Sequence, residues 1–188
     1  MEIKSNAAPN EISSPFYKAN EAFCAEFEQY IIRKNGTVSG KYNAWSYLIY
    51  GKIDTPKNWD IMYKKATFTS TGNLFLSSEY QSMLVLAKWE TERDETNNVA
   101  FKIKRKSMTD YIKLLLFENW KNLEIPNRYV IRIDDHLPPL VFTLTEILKS
   151  LFASGEIYEI TLHNNKLKIE LRSKKHHFDI LDKLTKEV

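Results

Sequence analysis

The chain of 188 residues carries 27 basic and 24 acidic residues, a formal net charge of +3. This length suffices for one large domain that buries roughly 70% of its unfolded surface. The mild charge neither requires nor excludes an anionic partner. Because basic and acidic residues nearly balance, the chain is not basic along its whole length.

The cysteine content and the hydropathy of the chain indicate the cellular compartment in which we expect the protein. The single cysteine, Cys24, cannot form an intramolecular disulfide, which favours a reducing compartment. No apolar stretch approaches the roughly 20 residues that span a bilayer, and residues 1–14 lack the apolar core of a secretory signal. We therefore expect a soluble cytoplasmic protein without a transmembrane segment.

The N-terminal region predicts a polar tail followed by a helix. Residues 1–12 are polar and mixed in charge, which predicts disorder. Ser14 followed by Pro15 predicts a helix start, and Asn35-Gly36 predicts its end. The helix carries apolar residues at helical spacing, and the candidate interaction residues are Phe16, Phe23, Phe27 and Ile31. This stripe could dock a protein partner or a second copy, or pack in the core of its own chain.

The middle of the chain gives weaker signals. Residues 44–50 and 82–89 are apolar and fit either a strand or a helix. Thr55-Pro56 predicts a helix start, with Trp59, Met62, Tyr63 and Ala66 on one face. A hairpin is predicted around Thr71-Gly72-Asn73, and an exposed loop over 90–98.

The following region alternates strands and helices. Phe101 and Ile103 alternate with lysines, as in a half-exposed strand. Ser107 with Asp110 predicts a helix start, and the apolar face of this helix is Met108, Tyr111, Ile112, Leu115, Trp120 and Leu123. A strand with apolar residues Tyr129, Ile131 and Ile133 follows. Thr143 with Glu146 predicts a capping box before a helix that ends at Gly155.

The C-terminal region predicts a β-hairpin followed by an amphipathic helix from about 175 to 187. Leu167, Ile169 and Leu171 alternate with charged residues, and Asn164-Asn165 supplies a two-residue turn. The whole pattern predicts an α+β fold, with a mixed or mostly antiparallel sheet and helices packed on it. We expect a single α+β domain over 13–188, with a helical subregion at 13–66 and an α+β region at 67–188.

Candidate catalytic residues are Asp134, Asp135 and His136, at a predicted strand end. Carboxylates and an imidazole are divalent-cation ligands, so these residues suggest a metal-dependent hydrolase. The alternative is a solvated turn, because adjacent residues on an extended chain point to opposite faces. His176 and Asp179, three residues apart on the predicted last helix, are a second metal candidate, with a solvated helix face as the alternative.

Lys102, Lys104, Arg105 and Lys106 form the densest basic cluster and are candidates for binding a nucleic-acid phosphate backbone. The alternative is an edge strand kept soluble by lysine. Because none of these patterns marks an enzyme class, we expect a non-enzymatic protein, without cofactor, acting through protein–protein contact or self-association. A metal-dependent hydrolase and a weak nucleic-acid binder are the alternatives.

Overall fold

The computed structural model describes residues 2–65, 85–93, 99–125, 129–133 and 136–188. These residues form ten strands and five helices, in the α+β class that the sequence predicts. Contacts divide the chain into two compact units. Unit 1 comprises Met1–Trp89 and Arg172–His176, and unit 2 comprises Glu90–Leu171 and His177–Val188. The prediction of a single domain over 13–188 stays a prediction.

The strands of unit 1 lie side by side in chain order. They are β1 (Ile3–Ser5), β2 (Thr37–Tyr42), β3 (Tyr47–Ile53), β4 (Trp59–Lys65) and the first part of β5 (Val85–Glu92). β1 runs parallel to β2, whereas β2, β3 and β4 pair antiparallel. The disorder expected over 1–12 is therefore corrected for β1, whose residues gain backbone partners on β2.

Helix α1 (Pro15–Arg33) covers the sheet of unit 1 and begins and ends as predicted. Its first turn is capped by Ser14, whose hydroxyl accepts a hydrogen bond from the N–H of Phe16 at 3.2 Å. The helix lies so close to β3 that a Cβ on Gly51 would stand 2.7 Å from side-chain atoms of Phe27 and Ile31. Its buried residues are Tyr17, Asn20, Cys24, Phe27, Tyr30 and Ile31.

Two predictions in this region are wrong. The helix expected after Thr55-Pro56 is strand β4, in which the buried Trp59, Ile61 and Tyr63 alternate with exposed or half-buried residues. The strand alternation was not recognised because Met62 is also apolar. Together with Trp59 and Tyr63 it has the i, i+3, i+4 spacing of a helix face. The loop expected over 90–98 is strand β5 as far as Glu92. Of the ambiguous segment 44–50, residues 47–50 belong to strand β3, whereas 44–46 precede it without regular structure. Of the segment 82–89, the described residues 85–89 belong to strand β5.

Unit 2 contains an antiparallel sheet in the order β10-β9-β6-β8-β7. Its strands are β6 (Phe101–Arg105), β7 (Trp120–Asn122), β8 (Tyr129–Ile133), β9 (Ile157–His163) and β10 (Lys166–Leu171). The C-terminal hairpin is confirmed: His163 pairs with Lys166, and Asn164 and Asn165 take the left-handed φ values of 49° and 60°. These are the values that a two-residue turn of type I′ requires.

Three helices of unit 2 contribute to its core. They are α3 (Pro139–Ile147), α4 (Lys149–Ser154) and α5 (Phe178–Glu187). Their buried apolar residues are Leu140, Val141, Leu144, Leu151, Phe152, Leu181 and Leu184. The ring of Phe152 meets that of Tyr129 edge to face, with centroids 4.8 Å apart. The predicted cap at Thr143 is wrong, because α3 already begins at Pro139, whereas the predicted end at Gly155 is confirmed by its left-handed φ of 74°.

The remaining helix of unit 2 is α2 (Met108–Leu116). It begins after Ser107, as predicted, and has the predicted capping box with Asp110. Trp120 and Leu123 were assigned to its apolar face, which is wrong, because the helix ends at Leu116 and Trp120 belongs to β7. The predicted hairpin around Thr71-Gly72-Asn73 lies outside the described residues. In the described part of the chain, none of the helices is both long and apolar enough to cross a membrane.

Candidate interaction surface

Helix α2 is attached to unit 2 through its polar side. Asp110 is the only fully buried residue of this helix, and its side chain is 0% exposed. The carboxylate accepts hydrogen bonds from the Ser107 N–H at 2.8 Å, the Ser107 hydroxyl at 2.6 Å and the Lys104 ammonium at 2.8 Å. Lys113, one turn further along the helix, lies 3.5 Å away. All three hydrogen bonds go to one carboxylate oxygen, Oδ2, whereas the buried Oδ1 makes ion pairs with Lys104, at 2.7 Å, and with Lys113.

These donors set the protonation state of Asp110. Burial alone would raise the pKa of the carboxyl group, but the hydrogen bonds from Lys104 and Ser107 and the charge of Lys104 outweigh it. The pKa of Asp110 is therefore held well below its usual range. The Asp110 carboxylate is therefore charged at neutral pH, where it pairs α2 with Lys104 of β6.

Aromatic rings complete the attachment. The ammonium groups of Lys104 and Lys113 lie 5.4 Å and 4.9 Å from the ring centroid of Trp120 on β7. The ammonium group of Lys106 lies 4.2 Å from the ring centroid of Tyr111. Cation–π contacts of this kind add to the ion pair, and they place Lys104, Lys106 and Lys113 next to aromatic rings of α2 and β7.

The apolar side of α2 faces outward. We call this the α2 surface; it consists of Met108, Tyr111, Ile112, Leu115, Leu116 and Phe117, and all six side chains are exposed. Met108 and Leu115 reach 86% exposure. An amphipathic helix of a globular protein ordinarily turns such a stripe towards the core. Contiguous apolar surface of this kind is typical of an interaction site.

A pocket on the same unit forms a second candidate. The cavity has a volume of about 330 Å³. Its polar lining consists of Lys102, Arg132, Thr161 and His163, and its apolar lining of Ala100, Phe101 and Leu162. Lys102 stands between Arg132 and Thr161 in the sheet, because β6 pairs with β8 on one side and β9 on the other.

The predicted interaction residues of α1 are largely buried. Phe27 and Ile31 are each 0% exposed in the core of unit 1, and the Phe23 ring stacks on Tyr47 with centroids 4.7 Å apart. The interaction prediction is therefore corrected for Phe27 and Ile31, because α1 packs its stripe on its own sheet. Phe16, at the first turn of the helix, remains exposed and lies 5.8 Å from the ring of Trp45.

The predicted catalytic group is described only in part. His136 is exposed, and Asp134 and Asp135 lie outside the described residues. Across the described ranges, no three His, Cys, Asp or Glu side chains are grouped so that they could hold a metal ion. The hydrolase hypothesis stays a prediction.

His176 does not occupy the helical position predicted for it. The last helix begins at Phe178, two residues later, and Asp179 lies in its exposed first turn. The His176 ring belongs to unit 1, where it stacks on Phe23 at 3.7 Å between centroids. Its Nε2 lies 3.0 Å from the carbonyl oxygen of Phe23, and its own carbonyl accepts a hydrogen bond from the Tyr63 hydroxyl at 2.6 Å. The helical spacing behind the His176–Asp179 metal candidate is therefore absent.

The predicted basic cluster is mostly engaged within unit 2. Lys102 forms an ion pair with Glu159, and Lys104 with Asp110. Lys106 donates a hydrogen bond to Asn122 at 3.1 Å, whereas Arg105 is exposed. Strand β6 lies between β8 and β9, so it is not the edge strand considered in the sequence analysis. Nucleic-acid binding by these residues stays a prediction.

Sequence reasoning missed both surfaces of unit 2. The apolar stripe of α2 can be recognised in the sequence. The spacing of its residues is the same, however, whether that face is buried or exposed. The pocket unites residues from three strands whose pairing order cannot be read from the chain. Comparisons of the sequence with models of known protein families and with curated proteins find no match.

Proposed function

We propose that this protein acts without catalysis, by binding another protein through the α2 surface. The observation that carries the proposal is the outward orientation of the apolar stripe while Asp110 faces inward. Met108, Tyr111 or Ile112, and Leu115 follow the spacing i, i+3 or i+4, i+7. This spacing is the anchor pattern by which a helix binds in an apolar groove of a partner.

Charge indicates the chemistry of the groove. Residues 102–121 contain six basic and two acidic residues, a net charge of +4 compared with +3 for the whole chain. Two copies joined through α2 would bring these positive charges together, whereas a groove edged by carboxylates would complement them. We therefore infer a partner protein with an apolar groove and acidic flanks.

The attachment of α2 also favours a protein partner over a bilayer. The nine residues of α2 span about 13.5 Å, and the capping box and the Asp110 ion pair hold the helix formed before binding. A preformed short helix loses little conformational entropy when it enters a groove. Membrane-surface helices, in contrast, are commonly longer and anchored by a second signal.

Leu115→Glu tests the proposal. We expect this variant to weaken partner binding by about 1.5–3 kcal/mol, roughly 10- to 150-fold, since it removes an apolar anchor. The partner is identified by a photoreactive amino acid at position 112, and its affinity is then measured with purified proteins. Phe142→Glu is the matched control, because Phe142 is an exposed apolar residue on α3 of the same unit.

Three outcomes would contradict this proposal. Equal binding by Leu115→Glu and the native chain would exclude α2 as the contact. A concentration-dependent dimer in light scattering that Leu115→Glu dissolves would assign the surface to a second copy. Sedimentation with anionic vesicles but not with neutral ones, abolished by Leu115→Glu, would assign it to a membrane.

A further inference from the structure

We propose that the pocket lined by Lys102, Arg132, Thr161 and His163 binds the phosphate group of a small phosphorylated molecule. The pocket is separate from the α2 surface in the residues that form it, so this inference does not depend on the proposed function. Its volume of about 330 Å³ lies at the lower end of the range for small-molecule sites.

The sheet places the polar side chains on one face. Arg132, Lys102 and Thr161 occupy directly paired positions on β8, β6 and β9. Paired strands lie about 4.8 Å apart, so three donors line up across two strand spacings. His163, two residues beyond Thr161, projects to the same face. This arrangement offers a guanidinium, an ammonium, a hydroxyl and an imidazole to one ligand.

These groups suit a phosphate. Arg binds phosphate oxygens with two parallel hydrogen bonds, and Lys adds a compact positive charge. In the part of the chain that the structure describes, no hydrogen bond or ion pair engages the side chains of Arg132 or His163. Ala100, half-buried beside these groups, adds apolar surface that an organic group attached to the phosphate can contact.

Glu159 sets the strength of the site. Its carboxylate, 18% exposed, pairs with Lys102, whose side chain remains 41% exposed. The ammonium group of Lys102 thus shares its charge with a carboxylate on β9. Removing that carboxylate frees Lys102 for an anion, so the structure predicts opposite effects for substitutions at Lys102 and at Glu159.

Titration of the full chain with phenyl phosphate and with inorganic phosphate, at constant ionic strength and followed by NMR, tests the inference. We expect saturable binding, tighter for phenyl phosphate because of the apolar lining. Arg132→Ala and Lys102→Ala should each weaken it about tenfold, the effect of about 1.4 kcal/mol. Glu159→Gln should tighten it. Arg105→Ala is the matched control, because Arg105 lies on β6 with Lys102 but outside the pocket.

The readouts separate this inference from its alternatives. Absence of saturable binding of either probe to the native chain overturns it. Equal losses in Arg105→Ala and Arg132→Ala also overturn it, since they indicate unspecific attraction by positive charge. If Lys102→Ala does not fold, the proposal is still tested by the other two variants. Phosphate affinity must rise in Glu159→Gln and fall in Arg132→Ala. Leu115→Glu should leave phosphate binding unchanged, so a failed partner experiment and a failed pocket experiment are distinguishable.

Discussion

Asp110 is the residue that fixes which side of α2 faces the sheet. Its buried carboxylate is bonded to Ser107 and Lys104, and Lys113 lies nearby. Because an apolar contact cannot replace these bonds, rotating the helix to bury Leu115 would break the bonds to Ser107 and leave Lys104, whose side chain is 21% exposed, without its carboxylate. A single acidic residue therefore outweighs the hydrophobic stripe in setting the orientation of this helix.

Asp110→Asn is expected to lower the free energy of unfolding at neutral pH by about 1–3 kcal/mol, the cost of losing a charged hydrogen-bond partner. A carboxyl group whose folded pKa is lowered stabilises the fold above its unfolded pKa, and this stabilisation is lost as pH falls towards the folded value. The difference between variant and native chain should therefore shrink below about pH 4, near the pKa of an unfolded Asp.

Urea unfolding at neutral and acidic pH measures this effect. Asp54→Asn is the control, because Asp54 pairs with Lys52 at the surface, where both side chains are more than half exposed. We expect no comparable loss in that variant. Native stability in Asp110→Asn at neutral pH would show that the ion pair does not hold α2.

At the scale of elements, the C-terminal hairpin was predictable because its information is local. Asn164 and Asn165 take the left-handed conformation in which other L-residues are strained. Strand β10 alternates in burial throughout, and strand β9 does so from Ile160 to His163, as their sequences alternate in hydropathy. Turn chemistry and periodicity thus agree within about 15 residues, and no distant contact is needed to decide the structure.

Asn165→Ala is expected to destabilise the chain by about 1–2 kcal/mol, because alanine pays the full cost of the left-handed backbone. Asn165→Gly is the matched variant and should retain native stability, since glycine adopts this conformation freely. Chemical denaturation compares the three chains. Equal losses in both variants would mean that the Asn165 side chain, rather than its backbone conformation, stabilises the turn.

At the scale of the whole molecule, neighbouring residues belong to different units. His176 is buried in unit 1, where it stacks on Phe23. His177 belongs to unit 2, where its Nε2 lies 2.8 Å from a carboxylate oxygen of Glu156. The C-terminal segment therefore contributes to the core of unit 1 before it forms α5 of unit 2.

Cys24 reports on the integrity of unit 1. Its thiol is 1% exposed. Burial, reinforced by the charge of Glu28 and opposed by Lys65, raises the pKa of the thiol to about 12. Since the thiolate is the reactive form, native Cys24 should react slowly with a disulfide reagent. Faster reaction in a variant indicates opening of unit 1.

We expect His176→Asn to destabilise unit 1 by about 1–3 kcal/mol and to accelerate Cys24 modification, because it leaves a cavity beside Phe23. His177→Asn is the matched control, since asparagine tolerates the left-handed φ of 55° at this position. In His177→Asn, Cys24 should react with the disulfide reagent more slowly than it does in His176→Asn. Equal rates would contradict the assignment of His176 to the core of unit 1.

Caps, turns and periodicity act over a few residues, so the amino-acid sequence was sufficient to predict the α+β class, the bounds of α1, the start of α2 and the C-terminal hairpin. It was not sufficient for β4, where Met62 makes the apolar spacing fit a helix as well as a strand. Nor did it show whether the apolar faces of α1 and α2 are buried or exposed. The folded chain was needed to show that α1 buries its apolar stripe on a sheet while α2 exposes its own. The reason is physical: the spacing of apolar residues specifies a face, but which face is covered depends on distant partners, such as Gly51 for α1 and Lys104 for α2.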